Sequence, residues 1–313
     1  MTDAATISVV ICAYTRARWD DLVGAVASAL AQSVAPLEVI VVVDHNPQLL
    51  ERAREELNGV RVLESTGAPG LAGARNTGAA AAAAEVIAFL DDDASAAPDW
   101  LEQIASAYAG EHVLGVGGRI DPLWQAPRPA WFPEEFNWVV GCSYRGLPTE
   151  PAPVRNMIGA NMSVRRDVLE AIGGFREELG RLRNGAGAAE ETDLCIRGSA
   201  RFPGGVWLYL PSAAVSHSVG VQRTTWAFFH RRCYHEGLAK AALVVGTGTS
   251  AGLESERRYV RRVLPAGVAR ALAGSARGER GGARRAAAIA AGLAYTAAGY
   301  ARGRLWRRAS ATG

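Results

Sequence analysis

Apolar residues recur along the first 120 residues in short unbroken runs separated by amphipathic stretches. Runs of this length, rich in β-branched residues, predict strands buried on both faces of a sheet. The predicted strands are residues 7–14, 37–44, 60–65, 86–90 and 113–118. Between them, helical spacing (Leu22, Val26 and Leu30 share one face) and alanine-rich composition predict helices. The helices after the first are expected at 47–57, 74–84 and 98–108. Strands that alternate with helices predict an α/β domain with a mainly parallel sheet.

The pattern changes after residue 120. Residues 119–160 have no periodicity and are rich in proline and tryptophan, which predicts a long structured loop. Short strands and a helix are expected over 161–220, and the chain reads as helical beyond about residue 223. We therefore expect boundaries near residues 120 and 235.

Composition narrows the classes of protein. A chain of 313 residues with 49% hydrophobic and 21% charged positions is ordinary for a soluble globular protein. A net charge of +3 is too small to indicate a nucleic-acid partner. The four cysteines form no C-x-x-C pair, which argues against a zinc site and a disulfide framework. The N-terminus has no signal-peptide pattern, so we expect a cytoplasmic protein.

The fourth predicted strand ends in three consecutive aspartates, Asp91–Asp93. Like charges this close cost free energy unless a solvated turn or a divalent cation offsets them. Ligands of parallel sheets bind beyond the carboxyl ends of the strands, where Asp44 also falls. A solvated turn stays the alternative, but the pattern favours a cation, and oxygen ligands suit Mg²⁺ or Mn²⁺.

Three further segments carry candidate chemistry. "APGLAGARNTG" (68–78) leads into a helix expected near Arg75, and such a start suits an anionic ligand. "GAAEETDLCIR" (187–197) places carboxylates on the first turn of a helix, as caps or as a general base. Its Glu190 and Glu191 are expected to face different directions, because one residue turns a helix by about 100°. His217 follows a strand-like segment, and both a structural and a metal-binding role are open.

In this order the motifs resemble family 2 glycosyltransferases of the GT-A fold. The resemblance rests on D-x-D after a strand, a preceding A-R-N-x-G, an acidic E-[DE]-x-D-L and a trailing V-x-H. "GANMSVRRDVLEAIGGFRE" (159–177) is similar to the acceptor-side segment of that family. The resemblance covers about residues 7–235 and implies a Rossmann-like sheet flanked by helices, with a C-terminal helical extension. Residues 1–120 would be the nucleotide-sugar-binding half and 121–235 the acceptor-binding, catalytic half of one domain, with 236–313 as the arginine-rich extension.

The resemblance also implies an activity and its residues. The activity is inverting transfer of a sugar from a nucleotide-diphospho-sugar, such as a UDP-sugar, to a hydroxyl acceptor, with Mn²⁺ or Mg²⁺ as cofactor. The implied donor-binding residues are Ala13, Tyr14, Arg16, Asp44, Arg75, Asn76, Asp91 and Asp92. The implied metal ligands are Asp91, Asp93 and His217. Glu191 falls where the general base is expected, with Glu190 left open. The implied acceptor contacts are Trp138, Asn161 and Asp193.

Two segments bear on the acceptor. "WFPEEFNWVVGCSYRGLP" (131–148) resembles bacterial and archaeal members that act on polyprenyl- or dolichyl-linked sugars; a glycan or a small molecule is the other option. Residues 277–308 carry eight arginines and one acidic residue. They predict either a packed helix with a solvated basic face or a helix on the anionic inner face of the cell membrane. The chain lacks the Q-x-x-R-W of processive synthases and a run of about 20 apolar residues, so we expect transfer of one sugar.

Two other functions compete with this one. A nucleotidyltransferase that makes nucleotide sugars also uses a parallel sheet and aspartates, but it would need a glycine-rich, lysine-bearing signature near its first strand. "ICAYTRARW" has none. A nucleotide-sugar-binding protein without catalysis would keep the aspartate turn but could lose the base, and the presence of Glu190, Glu191 and Asp193 speaks against it.

Overall fold

The computed structural model describes residues 5–110, 112–179, 190–247 and 254–310. The chain divides into two compact units, each formed from two segments. The first unit is Met1–Asp121 with Pro148–Ser218, and the second is Pro122–Leu147 with Val219–Gly313. Residues of the predicted middle segment, 121–235, contribute to both units.

The first unit is built on one mixed sheet. Its strands are β1 (Ile7–Ala13), β2 (Glu38–Val43), β3 (Arg61–Glu64), β4 (Val86–Asp91), β5 (Ala94–Ala96), β6 (Val113–Trp124), β7 (Ala152–Val154), β8 (Asn161–Arg165) and β9 (Val206–Val219). Its helices are α1 (Trp19–Leu30), α2 (Pro47–Glu56), α3 (Leu71–Ala81), α4 (Trp100–Ala107), α5 (Arg166–Ile172) and α6 (Glu190–Arg201). Within the described residues the strand order is β3-β2-β1-β4-β8-β6-β9-β5, and β7 pairs with β9.

The first four strands of this order are parallel. The β4–β8, β6–β8, β5–β9 and β7–β9 pairs are antiparallel. The parallel part is the one predicted from the apolar runs. Its central strands are buried on both faces, as the adjacent residues Val9 and Val10 of β1 and Val41 and Val42 of β2 show. Because β1, β2 and β4 run the same way, their carboxyl ends meet at one edge of the sheet. That edge carries Asp44 and the aspartate turn.

Two predicted elements differ from the observed ones. Helix α3 begins at Leu71 rather than near Arg75, because Gly70 has a φ of 136° and turns the chain into the helix earlier. Arg75 therefore lies inside the helix. Strand β6 continues past residue 118 to Trp124, where its burial alternates, so part of the predicted loop is strand with one solvated face.

From Trp226 onward the described residues of the second unit are mainly helical, as expected from the sequence. It contains α7 (Trp226–Thr247), α8 (Glu254–Arg258), a π-helical turn (Tyr259–Val263), α9 (Leu264–Ala276) and α10 (Gly282–Ser310). Helices α7 and α10 touch backbone to backbone: a Cβ on Gly237 would collide with the carbonyl oxygen of Thr296, and one on Gly299 with that of Tyr234. In the part of the chain that the structure describes, no helix combines the length and apolarity that a membrane crossing requires.

Candidate active site

The aspartate turn lies between β4 and β5. Asp92 and Asp93 are buried, and Asp91 is half-buried at the end of β4. Strand β5 pairs with β9 so that Ala94 is opposite His217, which brings Nε2 of His217 to 3.0 Å from Oδ1 of Asp93. One potential ligand atom from each of Asp91, Asp93 and His217 lies within 4.8 Å of the others. The two carboxylates are oxygen ligands of the kind that Mn²⁺ and Mg²⁺ take, and the imidazole adds one nitrogen donor. The structure thus brings the three predicted ligands together, and metal binding by them stays a prediction.

An arginine outside the predicted set of site residues faces this turn. Nη1 of Arg18 lies 2.9 Å from Oδ1 of Asp92 and 3.2 Å from Oδ2 of Asp93. Burial raises the pKa of Asp92 to about 7, against the lowering effect of the Arg18 charge. Oδ2 of Asp92 is buried and has no hydrogen-bond partner among the described residues. The sequence segment "TRAR" contains both Arg16 and Arg18. The resemblance implied a donor-binding role for Arg16, which is exposed, and none for Arg18.

A second arginine joins the aspartate turn to the predicted base. Arg75 is buried, with Nη2 lying 3.5 Å from Oδ1 of Asp91 and Nη1 lying 3.0 Å from Oε1 of Glu191. Burial opposes the charge of Arg75, but the carboxylates around it hold its pKa above the ordinary arginine value. The guanidinium therefore stays charged and links residues from α3, β4 and α6.

Glu190 also contacts this guanidinium, with Oε1 lying 3.5 Å from Nη1 of Arg75. The expectation that Glu190 and Glu191 face different directions is therefore wrong. Their side chains are long enough to converge from adjacent positions, and a buried charge favours every carboxylate within reach. The two differ in exposure: the Glu190 side chain is 2% exposed and the Glu191 side chain is 17% exposed.

Gly159 is a further site residue, and the sequence alone predicted no role for it. A Cβ at this position would collide with Oε1 of Glu191 and with Nη2 of Arg75. The absence of a side chain at residue 159 thus leaves room for the Arg75–Glu191 pair. In the sequence, Gly159 is the first glycine of "GANMSVRR", which was interpreted only as part of a family motif.

The predicted donor-binding residues at the ends of β1 and β2 lie side by side. The backbone N–H of Asp44 donates to the carbonyl of Ala13 at 2.7 Å. Oδ2 of Asp44 accepts from the backbone N–H of Gly70 at 3.1 Å, at the start of α3. Tyr14 and Arg16, which follow Ala13, are exposed. These residues form the side of the edge where the nucleoside was predicted.

Asn76, a predicted donor-binding residue, is engaged within the fold. Its Nδ2 donates to the carbonyl of Phe175, and the backbone N–H of Phe175 donates to its Oδ1, both at 2.8 Å. Because both ends of the amide are used, Asn76 holds residue 175 against α3. These contacts do not favour the donor contact that the resemblance implied for it.

Asn161, a predicted acceptor residue, is also engaged within the fold. Its Oδ1 accepts from Nε1 of Trp100 at 2.8 Å, and its Nδ2 donates to the carbonyls of Arg119 at 3.0 Å and Ala213 at 2.9 Å. The side chain is 1% exposed. This geometry gives Asn161 a role in joining strands, and acceptor contact by it stays an unsupported prediction.

The other two predicted acceptor residues have partners inside their own units. Asp193 is buried, and its carboxylate accepts from Nε of Arg197 at 2.7 Å and from Nη1 of Arg176 at 3.2 Å. Trp138 belongs to the second unit, where its Nε1 donates to the hydroxyl of Tyr259 at 3.2 Å. The structure therefore gathers the predicted metal ligands and glutamates, whereas acceptor contact by Asp193 and Trp138 stays a prediction.

The fold and the arrangement of side chains at its acidic edge define the class of protein. A Rossmann-like parallel edge with an acidic turn, continued by antiparallel strands, is the GT-A glycosyltransferase architecture. The profile described as "Glycosyl transferase family 2" matches residues 8–173. The chain belongs to glycosyltransferase family 2, as its motifs predicted, and is a glycosyltransferase.

Similar proteins agree with this assignment. The glucosyl-dolichyl phosphate glucuronosyltransferase of Haloferax volcanii is 34% identical over 241 residues, which cover 76% of this chain and 77% of that protein. The solved mannosyltransferase PcManGT of Pyrobaculum calidifontis, in complex with GDP-Man and Mn²⁺, superposes with a TM-score of 0.59 at 18% identity and covers 98% of this chain and 88% of its own. GalNAc-T7 with UDP, GalNAc and Mn²⁺ gives 0.56 at 17% identity, covering 83% of this chain and 54% of its own. At these identities the two structures show the fold alone.

Proposed function

We propose that this chain transfers one sugar from a UDP-sugar to a hydroxyl of a lipid-linked sugar, with inversion at the anomeric carbon. The observation that carries the proposal is the Arg75 guanidinium, which contacts Glu191 on one side and Asp91 on the other. Arg75 thus links Glu191, a partly exposed carboxylate suited to act as a base, to the aspartate turn, which is suited to hold a metal and a diphosphate.

The donor is assigned to the edge formed by β1, β2 and β4. Asp91, Asp93 and His217 would hold Mn²⁺ or Mg²⁺, and the GDP-Man, UDP and Mn²⁺ in the two similar structures support this choice. The cation, when bound, stabilises charge on the diphosphate leaving group. The exposed ring of Tyr14 and the buried carboxylate of Asp44 are assigned to the nucleoside.

The base is Glu191. Its Oε1 is the oxygen that contacts Arg75, and we assign its Oε2 to proton acceptance. Removal of the proton makes the acceptor hydroxyl a competent nucleophile, which attacks the anomeric carbon as the bond to the diphosphate breaks. A single displacement of this kind inverts the configuration. Glu190 is less suited, because its carboxylate is fully enclosed.

The acceptor class is supported by the relative from Haloferax volcanii, whose name gives a glucosyl-dolichyl phosphate as its substrate. The second unit adds a physical reason, since it exposes many arginines that could contact an anionic membrane surface. These arginines are Arg257, Arg258, Arg261, Arg262, Arg277, Arg280, Arg284 and Arg302. We therefore assign the acceptor to polyprenyl-type phosphates that already carry a sugar.

The activity test uses the full chain, Mn²⁺, and UDP-glucose, UDP-glucuronic acid or UDP-N-acetylglucosamine. The acceptor is a synthetic glucosyl polyprenyl phosphate, with free glucose as the comparison. Mass spectrometry should show the addition of one sugar, and NMR should show a β linkage from the α-linked donor. Retained configuration would refute the single displacement, and transfer to free glucose but not to the lipid would refute the acceptor class.

Membrane contact is tested by sedimentation with anionic and neutral liposomes. Deletion of the C-terminal tail is unsuitable, because α10 packs along α7 and its removal would expose a buried face. The combined change of Arg280, Arg284 and Arg302 to glutamine should instead weaken binding to anionic liposomes, and added salt should weaken it further. Arg54→Gln, an exposed change on α2, is the control. Equal binding of all forms, or binding that salt does not affect, would contradict the proposal.

A further inference from the structure

Arg18 is placed at the aspartate turn by a short 3-10 turn. Residues Arg16–Arg18 form this turn after β1, and α1 follows at once. The guanidinium lies between the carboxylates of Asp92 and Asp93, and the Arg18 side chain is 25% exposed. It therefore reaches buried acidic groups while one part of it faces solvent.

The two oxygens of Asp93 have different neighbours. Oδ2 lies 3.2 Å from Nη1 of Arg18, and Oδ1 lies 3.0 Å from Nε2 of His217. Arg18 thus contacts the oxygen that faces away from His217. Arg18 therefore leaves Oδ1, the oxygen beside His217, for the candidate ligand set.

We propose that Arg18 is a built-in counter-cation of the aspartate turn: it neutralises Asp92 and Asp93 before a metal ion binds. The inference rests on the metal site of the proposed function. Arg18 acts in this scheme through the charges of Asp92 and Asp93, which it contacts directly.

Arg18 and a divalent cation then compensate the same negative charges. Two stabilising charges that act on the same groups are not additive, so each is worth less when the other is present. A positive charge one carboxylate away also weakens the attraction of the site for a cation. Removal of Arg18 should therefore destabilise the metal-free protein and strengthen metal binding.

The ligand geometry should survive the loss of Arg18, because other contacts hold it. Oδ1 of Asp93 keeps its contact with His217, and the backbone carbonyl of Asp93 accepts from the N–H of Ser218 at 2.8 Å. Asp91 keeps its contact with Arg75. The change in charge thus outweighs the loss of orientation in its effect on metal affinity.

The experiment measures melting temperatures of the full chain in EDTA and in rising Mn²⁺, with Mn²⁺ alone as the probe. In EDTA, Arg18→Gln should melt roughly 2–6 °C below the unsubstituted protein, and saturating Mn²⁺ should remove most of this difference. The apparent Mn²⁺ affinity of Arg18→Gln should rise about threefold or more, since a like charge is gone. Arg18→Lys, which keeps the charge, should lie between the two. Arg54→Gln, an exposed change on α2 outside the site, should alter neither quantity.

An equal loss of melting temperature in EDTA and in Mn²⁺ would reduce Arg18 to a structural ion pair, and no loss in either would leave it without a role. Weaker Mn²⁺ binding by Arg18→Gln would show that orientation outweighs charge and would overturn the proposal. If Arg18→Gln does not fold, Arg18→Lys decides, because a charge effect predicts near-normal behaviour in EDTA. An unsubstituted protein that Mn²⁺ does not stabilise would refute the metal site itself, whereas transfer of the sugar is measured separately.

Discussion

The replacement of Gly159 by alanine tests whether the position of Glu191 limits the reaction. The residue has no left-handed backbone, so alanine is allowed there conformationally. Its Cβ, however, would stand 3.0 Å from Cζ of Arg75 and closer still to Oε1 of Glu191, where ordinary contacts are 3.4–4 Å. The carboxylate must then move by about 1 Å, and a displacement of that size costs roughly a hundredfold in rate. Overpacking should also cost about 1–3 kcal/mol of unfolding free energy.

The assay is steady-state transfer of the sugar, combined with thermal unfolding and Mn²⁺ titration. We expect kcat to fall about a hundredfold, with Mn²⁺ affinity close to that of the unsubstituted protein. Gly24→Ala is the matched control: this exposed glycine in α1 has nothing within 4 Å of its added Cβ, so kcat should not change. Full activity in folded Gly159→Ala would show that the placement of the carboxylate against Arg75 is irrelevant to catalysis.

Four further substitutions test three separate parts of the structure. Glu191→Gln should lower kcat by about 10²–10⁴ with UDP affinity retained, since it removes the proton acceptor. Glu190→Gln should chiefly lower the melting temperature. A large loss of kcat for Glu190→Gln and a small one for Glu191→Gln would assign the base to Glu190. His217→Ala should weaken Mn²⁺ affinity by roughly tenfold or more, measured by titration, and a collapse of the melting temperature with unchanged affinity would make the histidine structural. Gly299→Val should destabilise the second unit by about 1–3 kcal/mol in denaturant unfolding, because the side chain separates α7 from α10. An unchanged midpoint would contradict the observed close approach.

The parallel strands could be predicted because each one corresponds to a single short stretch of the sequence with its own hydrophobic pattern. β1 and β2 are unbroken apolar runs buried on both sides, and an acidic residue marks the end of β2 and of β4. The far end of β6 was missed, because its alternating burial and its proline, Pro122, read as loop. Family motifs supplied the ordered set of site residues that no single segment could establish.

What could not be predicted are the contacts between distant side chains. The sequence shows two glutamates on a helix, but only the fold shows that a buried Arg75 draws both to one nitrogen. Arg18 and Gly159 are invisible for the same reason, since their roles depend on what stands opposite them. The ligand contacts predicted for Asn76 and Asn161 stay predictions. An amide that completes backbone hydrogen bonds, as both do, looks the same in sequence as one that binds a ligand.

The pairing of β5 with β9 bears on the order in which the protein folds. Asp91 and Asp93 belong to the early part of the chain, whereas His217 stands opposite Ala94 only once β9 has been added to the sheet. Contacts between residues so distant in sequence form late, because the intervening chain must lose its entropy first. A nascent chain that has completed β1 to β4 would therefore carry the acidic turn without its histidine. We expect the capacity to bind Mn²⁺ tightly to arise with the final strand, so that metal binding during refolding reports completion of the sheet rather than its beginning.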